Sequence, residues 1–548
     1  ALTGILTAQG IISLKGGLTA GRLAATFQYP NSFAVYLVVT LVISAYLALN
    51  SSRYFSAGFF SGIVFLSFLA IIGSQSRSVL LMLPLVLAIF ILGQANRYQA
   101  VILLTLALVI AIISAPFTIG PKIQQAHANW GAFLFTLAGW LAVGNTGASL
   151  VTRLPKRSFL TNTILTEKET PESNSKKVRT PPRRIKLIMA IICVCTALFM
   201  FFILRYPGTG ENTWDAGKTM FGRLISTSSS ESSLQYRLAF YHDALSMIKE
   251  RPLLGWGGGG WKSAYPAYQS FNYFSTQVHS HYLQVWLETG TLGLIMFILP
   301  FIFLLDSLRR IYPLRRSHPL APENWAVGTA LLTLSLHGTV DFDLSFSSIS
   351  LLLWSLMALF ASREKALGVG YNRYLPGIWP LIILTLAAVF LAGETFVLKE
   401  ARNKAETAIS AAAQGDLKTA LENSQKAAQL DRWSAQYPVM QAKILRSLNP
   451  EASQETPAYR LNESIRLAEK AIELEYYNAD YHFFLARLYL DRSLLEKALA
   501  EAGMAKALRP WQIQSYEEYN RIYLNAAVQQ LLLKQEKAAG ATLRQVLV

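Results

Sequence analysis

The residues best suited to chemistry lie between Val278 and Gly293, in V-H-S-H-Y-L-Q-V-W-L-E-T-G-T-L-G. His279 and His281 stand where a polar loop re-enters an apolar helix, and that helix carries Gln284 and Glu288. Polar groups held at a membrane edge are costly, so a functional site is the first reading. Imidazole titrates near neutrality, which suits a general base. His279 is the candidate base; His281 shares a helix face with Glu288 at i,i+7, and both are supporting candidates. His-x-His also raises a metal site, but it has no neighbouring cysteine or carboxylate cluster, and structural zinc wants four ligands.

Three arginines form a second set: Arg22 in G-R-L-A-A-T-F-Q-Y-P-N-S-F-A, Arg77 in G-S-Q-S-R-S-V-L-L, and Arg237 in Y-R-L-A-F-Y-H-D-A-L. A guanidinium offers a planar fork to phosphate oxygens and never deprotonates. Each can equally be an interfacial residue that snorkels its charge into water. Lys218 and Arg223 are weaker candidates of the same kind. His337 and Asp341, in H-G-T-V-D-F-D, are i,i+4 and can touch on a continuous helix. They read either as an ion pair that pins the helix end or as part of the site, with Asp341 or Asp343 orienting a catalytic histidine.

The elements that must position these groups are apolar helices. Hydrophobic residues make up 52% of the 548 residues, and they gather in runs of the length a bilayer requires. The runs are 33–49, 55–73, 78–93, 100–117, 130–151, 187–204, 282–305, 325–340, 346–362 and 377–398, of which the third and eighth are short. Cys193 and Cys195 sit inside the sixth, on different helix faces, and read as small core residues. The first residue is Ala rather than Met, and further spans upstream are expected.

The net charge of +17 raises nucleic acid as a partner, but its placement argues for topology instead. The segment 152–186 is rich in Lys, Arg, Ser, Thr and Pro, and Arg309, Arg310, Arg315 and Arg316 follow the seventh run. Basic loops beside membrane helices mark the cytoplasmic side. Alternation from those two loops puts Arg22, Arg77, Arg237, His279, His337 and Asp341 together on the external face. The chain then divides into transmembrane helices over 1–204, an external loop over 205–281, further transmembrane helices over 282–398, and an external helical region over 399–548.

Two other stretches matter. P-L-L-G-W-G-G-G-G-W-K-S resembles a phosphate loop but fails on spacing, because Trp261 stands where lysine is needed. It reads as a flexible turn in an aromatic-rich loop. Beyond Lys399 a helix-end theme recurs at Trp433, Tyr477 and Trp511, with spacings of 44 and 34 residues. The second spacing equals the tetratricopeptide period, so degenerate helical-pair repeats are expected. Such repeats bind partners along a concave face or serve as a cap on the loop.

The 278–293 motif resembles the signature of the O-antigen ligases and related polysaccharide polymerases, roughly H-N-x-x-L-Q-x-x-x-E-x-G-x-x-G. His279, Leu283, Gln284, Glu288, Gly290 and Gly293 fall on that pattern, and Ser280 replaces the usual Asn. Both Ser and Asn make good helix N-caps. The resemblance extends from Gly21 to about Trp354, and the contexts of the three arginines are similar to family motifs.

This resemblance implies an all-α polytopic bundle of the GT-C-like type in the bacterial plasma membrane. It implies transfer of a glycan from undecaprenyl diphosphate to an acceptor hydroxyl outside, by inversion, with no metal or cofactor. Ligation to a lipid core, polymerisation of repeat units and transfer to protein all remain open, so the acceptor is a glycan, a lipid or a protein. Membrane lipids, and a protein held by the C-terminal repeats, complete the expected partners; nucleic acid is not among them. A lipid-glycan transporter would carry charges deep within its spans; here they cluster at one edge.

Overall fold

The computed structural model of the protein describes residues 1–120, 128–153, 228–369, 378–447 and 456–546. The basic segment beyond Arg153, the sixth apolar run with Cys193 and Cys195, and Lys218 and Arg223 lie outside the described residues. The chain is all-α and polytopic, with one two-stranded ribbon among the described residues. Six of the described helices are long and apolar enough to cross a membrane: Pro30–Asn50, Tyr54–Ser74, Arg97–Thr118, Trp130–Arg153, His281–Leu314 and Trp379–Ala413. Arg77–Gly93 is apolar but shorter. The eighth and ninth runs form the helices Ala321–Gly338 and Ser347–Ala366, which are long enough but less apolar than those six.

Two compact units emerge. The first comprises Ala1–Leu238, Val278–Trp286 and Thr291–Asn372; the second comprises Ala239–Gln277, Leu287–Gly290 and Arg373–Val548.

In the first unit the helices pack through small residues, as expected where lipid removes the hydrophobic drive for helices to associate. A Cβ on Gly58 would lie 3.2 Å from the Gly144 carbonyl oxygen, so two backbones nearly touch there. Gly93 lies against the Trp325 ring, whose indole N–H donates to the Ile89 carbonyl at 2.7 Å. Facing outward, Leu134, Phe135, Leu292, Ile295 and Met296 are exposed, an apolar surface suited to lipid.

In the second unit the helix Trp379–Ala413 changes character along its length. Leu381, Ile383, Leu384, Val389 and Phe390 are exposed, whereas Ala401, Ala405, Ala408 and Ala411 are buried against the helices that follow. From Leu417 to Val546 each helix packs on its sequence neighbours. Alanines such as Ala468, Ala471, Ala498 and Ala502 let them approach closely. The loop joins this unit. Ser263 donates to Glu475 at 2.9 Å, Trp511 donates to the Gln269 carbonyl at 2.8 Å, and the Tyr268 and Tyr477 hydroxyls lie 3.2 Å apart. Two members of the recurring helix-end theme, Tyr477 and Trp511, therefore hold the loop.

Gly290 explains one glycine of the 278–293 motif. It takes φ 69° and ψ −173°, which breaks the helix His281–Leu314. The break frees carbonyls, and the loop supplies donors: Trp256 N–H to Leu287 at 2.8 Å and Gly257 N–H to Glu288 at 2.9 Å. A Cβ on Gly290 would sit 2.1 Å from the Leu253 carbonyl oxygen. Gly255, at φ 72°, meets the same junction from the other side, with a Cβ 2.6 Å from Gly290 N. Gly290→Ala is expected to cost on the order of 1–3 kcal/mol in backbone strain alone, before the clash. Thermal melts in detergent check this; an unchanged melting temperature would refute the account of the junction.

Candidate functional site

The site is built from loop ends of the first unit. Arg22 enters on the ribbon Leu18–Thr19/Arg22–Leu23, where Thr19 pairs with Arg22. Its turn, Ala20-Gly21, has positive φ at both residues, 49° and 74°. That geometry belongs to a tight two-residue hairpin, and Ala20 adopts it without the freedom of glycine. The Arg22 guanidinium donates to the Ser74 carbonyl and to Asn31 Oδ1, each at 2.9 Å. It is thus clamped in one orientation.

Asn31 and Tyr29 lead to the centre of the site. Asn31 Nδ2 donates to Asp341 at 2.6 Å, and the Tyr29 hydroxyl donates to the same carboxylate at 2.9 and 3.1 Å. Asp341 is fully buried, with Arg237 at 3.5 Å, His279 Nδ1 at 3.8 Å and the Phe342 N–H at 2.9 Å. A buried carboxylate is stable only when paired and hydrogen-bonded in this way.

The electrostatics follow from that crowding. Burial works against ionisation of Asp341, but the neighbouring His279 imidazole, the His337 and Arg237 charges and the Phe342 N–H outweigh it. The carboxyl is held below its usual range. Burial also pulls Arg22 below its ordinary value; Tyr29 and Asp341 oppose that, and the Arg77 and Arg237 charges add to it. Burial, helped by the Asp341 charge, raises Tyr29, so it stays protonated and donates. Arg22 feels both Arg77 and Arg237, so three guanidiniums concentrate positive charge at this edge.

His279 precedes its helix rather than lying in it. Ser280 is the N-cap, accepting from the Leu283 N–H at 3.4 Å. His279 takes φ 59°, a conformation costly for a residue with a side chain and one that recurs at functional positions. Its ring meets Phe342 edge-on, with centroids 5.0 Å apart. Phe342 in turn packs on Tyr29 and Phe346. The His279 side chain remains about a quarter exposed, at 26%.

His337 forms a second, buried network beside the first. Its Nδ1 pairs with Asp343, and its Nε2 lies 2.8 Å from Ser78 Oγ. Asp343 also accepts from Ser32 at 2.5 Å. Four elements meet there, because Ser32 opens Pro30–Asn50, Ser78 opens Arg77–Gly93, His337 closes Ala321–Gly338, and Asp343 begins the short 3-10 turn Asp343–Ser345. The network places Arg77, adjacent to Ser78, at the same edge as Arg22.

Arg22, Arg77, Arg237, His279, His337 and Asp341 are therefore gathered in the first unit. His281 sits beside them; its N–H donates to the Asp341 carbonyl at 3.1 Å, and its ring lies against Phe297 and near Ser345. Glu288 belongs to the second unit, where it accepts from the Gly259 N–H at 3.0 Å. Tyr29, Asn31, Ser32 and Ser78 are the participants that sequence reasoning missed. The available signal was the polar pair N-S directly after Pro30, at the start of an otherwise apolar run.

Residues 132–298 match a family model described as O-antigen ligase. A stretch of 123 residues, 21% of this chain, is 29% identical to an uncharacterised protein of Haemophilus influenzae and covers 30% of that protein's length. The matched stretch is similar to a membrane glycan-transfer family and contains Arg237, His279, His281 and Glu288. Arg22, Arg77, His337 and Asp341 lie outside it, and the Asp341 carboxylate joins the two sets.

Proposed function

We propose that the chain transfers a glycan from a lipid diphosphate, of the undecaprenyl type, to an acceptor hydroxyl on the external face of the bacterial plasma membrane. The observation that carries this reading is the Asp341 carboxylate, which holds an imidazole and an arginine at one point beside Arg22 and Arg77. Such a reaction needs a base for the acceptor and fixed cations for the leaving group, and this point supplies both.

In the reaction, the acceptor O–H gives its proton to His279, and its oxygen forms the new bond to the anomeric carbon. The bond from that carbon to the diphosphate oxygen breaks, and its electron pair leaves with the lipid diphosphate. Attack opposite the leaving group inverts the anomeric centre. Asp341 faces Nδ1 of His279, so Nε2 takes the proton and the carboxylate stabilises the imidazolium. This is the division of labour of a carboxylate–imidazole pair in general base catalysis. Arg22, Arg77 and Arg237 bind the diphosphate and meet the charge that grows on it. His337 with Asp343 and Ser78 positions Arg77.

One helix supports the external orientation. His281–Leu314 carries the site at its N-terminal end and Arg309, Arg310, Arg315 and Arg316 near the other. Arg97 reaches the Tyr312 hydroxyl at 3.4 Å, at that same basic end. Basic ends favour the cytoplasm, which supports an external site.

Reconstitution of the whole chain with a lipid-diphosphate glycan and candidate acceptors tests the reading. Glycosylated acceptor and free lipid diphosphate should appear in equal amounts. Movement of intact donor across the bilayer with no new bond would establish transport instead. Arg22→Lys keeps the charge but loses the two-point clamp; about a ten-fold rise in donor KM is expected. Unchanged KM and kcat would remove Arg22 from the diphosphate seat.

A further inference from the structure

The second unit contains a cleft of about 720 Å³ between the loop helix Gly260–Tyr268 and the helices that follow Asp431. That volume falls within the range of ligand sites in general. Its aromatic lining includes Trp256, Phe274, Trp433, Tyr477 and Tyr481. Most of these rings are engaged. Trp256 donates to the Met247 carbonyl and is covered by Arg251 at 4.3 Å, and Tyr477 meets Trp256 edge-on.

Two rings differ. Phe274 is 81% exposed and Trp433 is 80% exposed, one from the loop and one from the helical region, and both face this cleft. Trp433 is also the member of the helix-end theme that does not hold the loop, whereas Tyr477 and Trp511 do. Among the described residues no aromatic contact covers either ring.

The polar lining indicates what fits between them. Its cations are Lys262 and Arg509; its carboxylates are Glu475 and Asp480. Glu475 is engaged by Ser263 and Asp480 by Arg509 at 2.9 Å. The charges balance, so the cleft has no seat for a diphosphate or another strong anion. Open aromatic faces with neutral polar rims suit a chain of uncharged sugar rings: the C–H face of a pyranose packs on the ring, and its hydroxyls bond to the rim.

We infer that this cleft binds a neutral segment of glycan, as a subsite in the second unit separate from the reacting groups of the first. The choice of glycan rests on the transfer reading above, but its test does not require transfer. Size-fractionated, lipid-free oligosaccharides released by mild acid from the host's own surface polysaccharide are titrated calorimetrically against the full chain in nanodiscs. Wild type and His279→Ala should bind alike, while Trp433→Ala and Phe274→Ala, on opposite walls, should each weaken binding about ten-fold. Absence of binding by wild type, wild-type affinity in both wall variants, or displacement of the saccharide by extended peptides overturns the subsite. If His279→Ala abolishes transfer yet no saccharide binds, the subsite fails and the catalytic reading stands. Saccharide binding without any transfer by wild type gives the converse.

Discussion

His279→Ala should abolish glycan transfer while leaving the chain folded and able to bind its donor. General base catalysis contributes about 10²–10⁴-fold, so transfer should fall by at least the lower figure. The cationic seat does not depend on the imidazole: Arg22 is held by Ser74 and Asn31, and Arg237 by Asp341. Donor affinity should therefore persist when catalysis is lost, and kcat rather than KM should carry the effect. The positive φ of His279 adds a second expectation. His279→Gly relieves the backbone strain, so this inactive variant should melt at or above wild type. The two quantities to read are single-turnover transfer rate and melting temperature. A His279→Ala protein that transfers within three-fold of wild type would end its assignment as base.

Asp341→Asn is the second large effect, and it acts through its neighbours. The carboxylate accepts from Tyr29, Asn31 and the Phe342 N–H and faces Arg237 and His279. An amide keeps the shape but brings N–H donors to a place where donors already converge. Transfer should drop by about 10²–10⁴-fold, as expected when an imidazole loses the carboxylate that orients it.

Stability changes with a definite sign. The folded Asp341 carboxyl lies below its usual range, so it contributes stability that is fully present above the ordinary aspartate value of about 4. That contribution is lost as pH falls below it. Wild type should therefore lose melting temperature on acidification below about pH 4, and Asp341→Asn should lose less over the same interval. Parallel acid profiles for the two proteins would show that Asp341 is not the organising charge.

The sequence carries the charged half of the site and loses the neutral half. Arg22, Arg77, Arg237, His279, His337 and Asp341 stand out because ionisable groups at the ends of apolar runs are costly. Alternation of the spans already puts them on one side. Tyr29, Asn31, Ser32 and Ser78 do not stand out, because neutral polar residues at a helix start have ordinary roles as caps and turns. Their use depends on Asp341 and Asp343, far away in the chain.

Glu288 falls on a family motif and on a face shared with His281, and the helix between them is unbroken; its hydrogen bond from the Gly259 N–H was not legible in that pattern. The break at Gly290 and the loop donors at Trp256 and Gly257 are long-range facts that a 3.6-residue period does not contain. The ten apolar runs likewise record composition; which of them are long enough as helices emerged only with their ends.

The Tyr29–Asp341 contact joins residues 312 positions apart, and that separation has a temporal meaning. At about 5–20 residues per second of synthesis, the arginine made first waits roughly 15–60 seconds for the carboxylate that completes its surroundings. Until then the emerging polypeptide has cations without the clasp that orders them and no ordered imidazole. On the proposed reading, a product that ends short of Asp341 has the arginines and the imidazole without the carboxylate that gathers them, and so cannot carry out transfer.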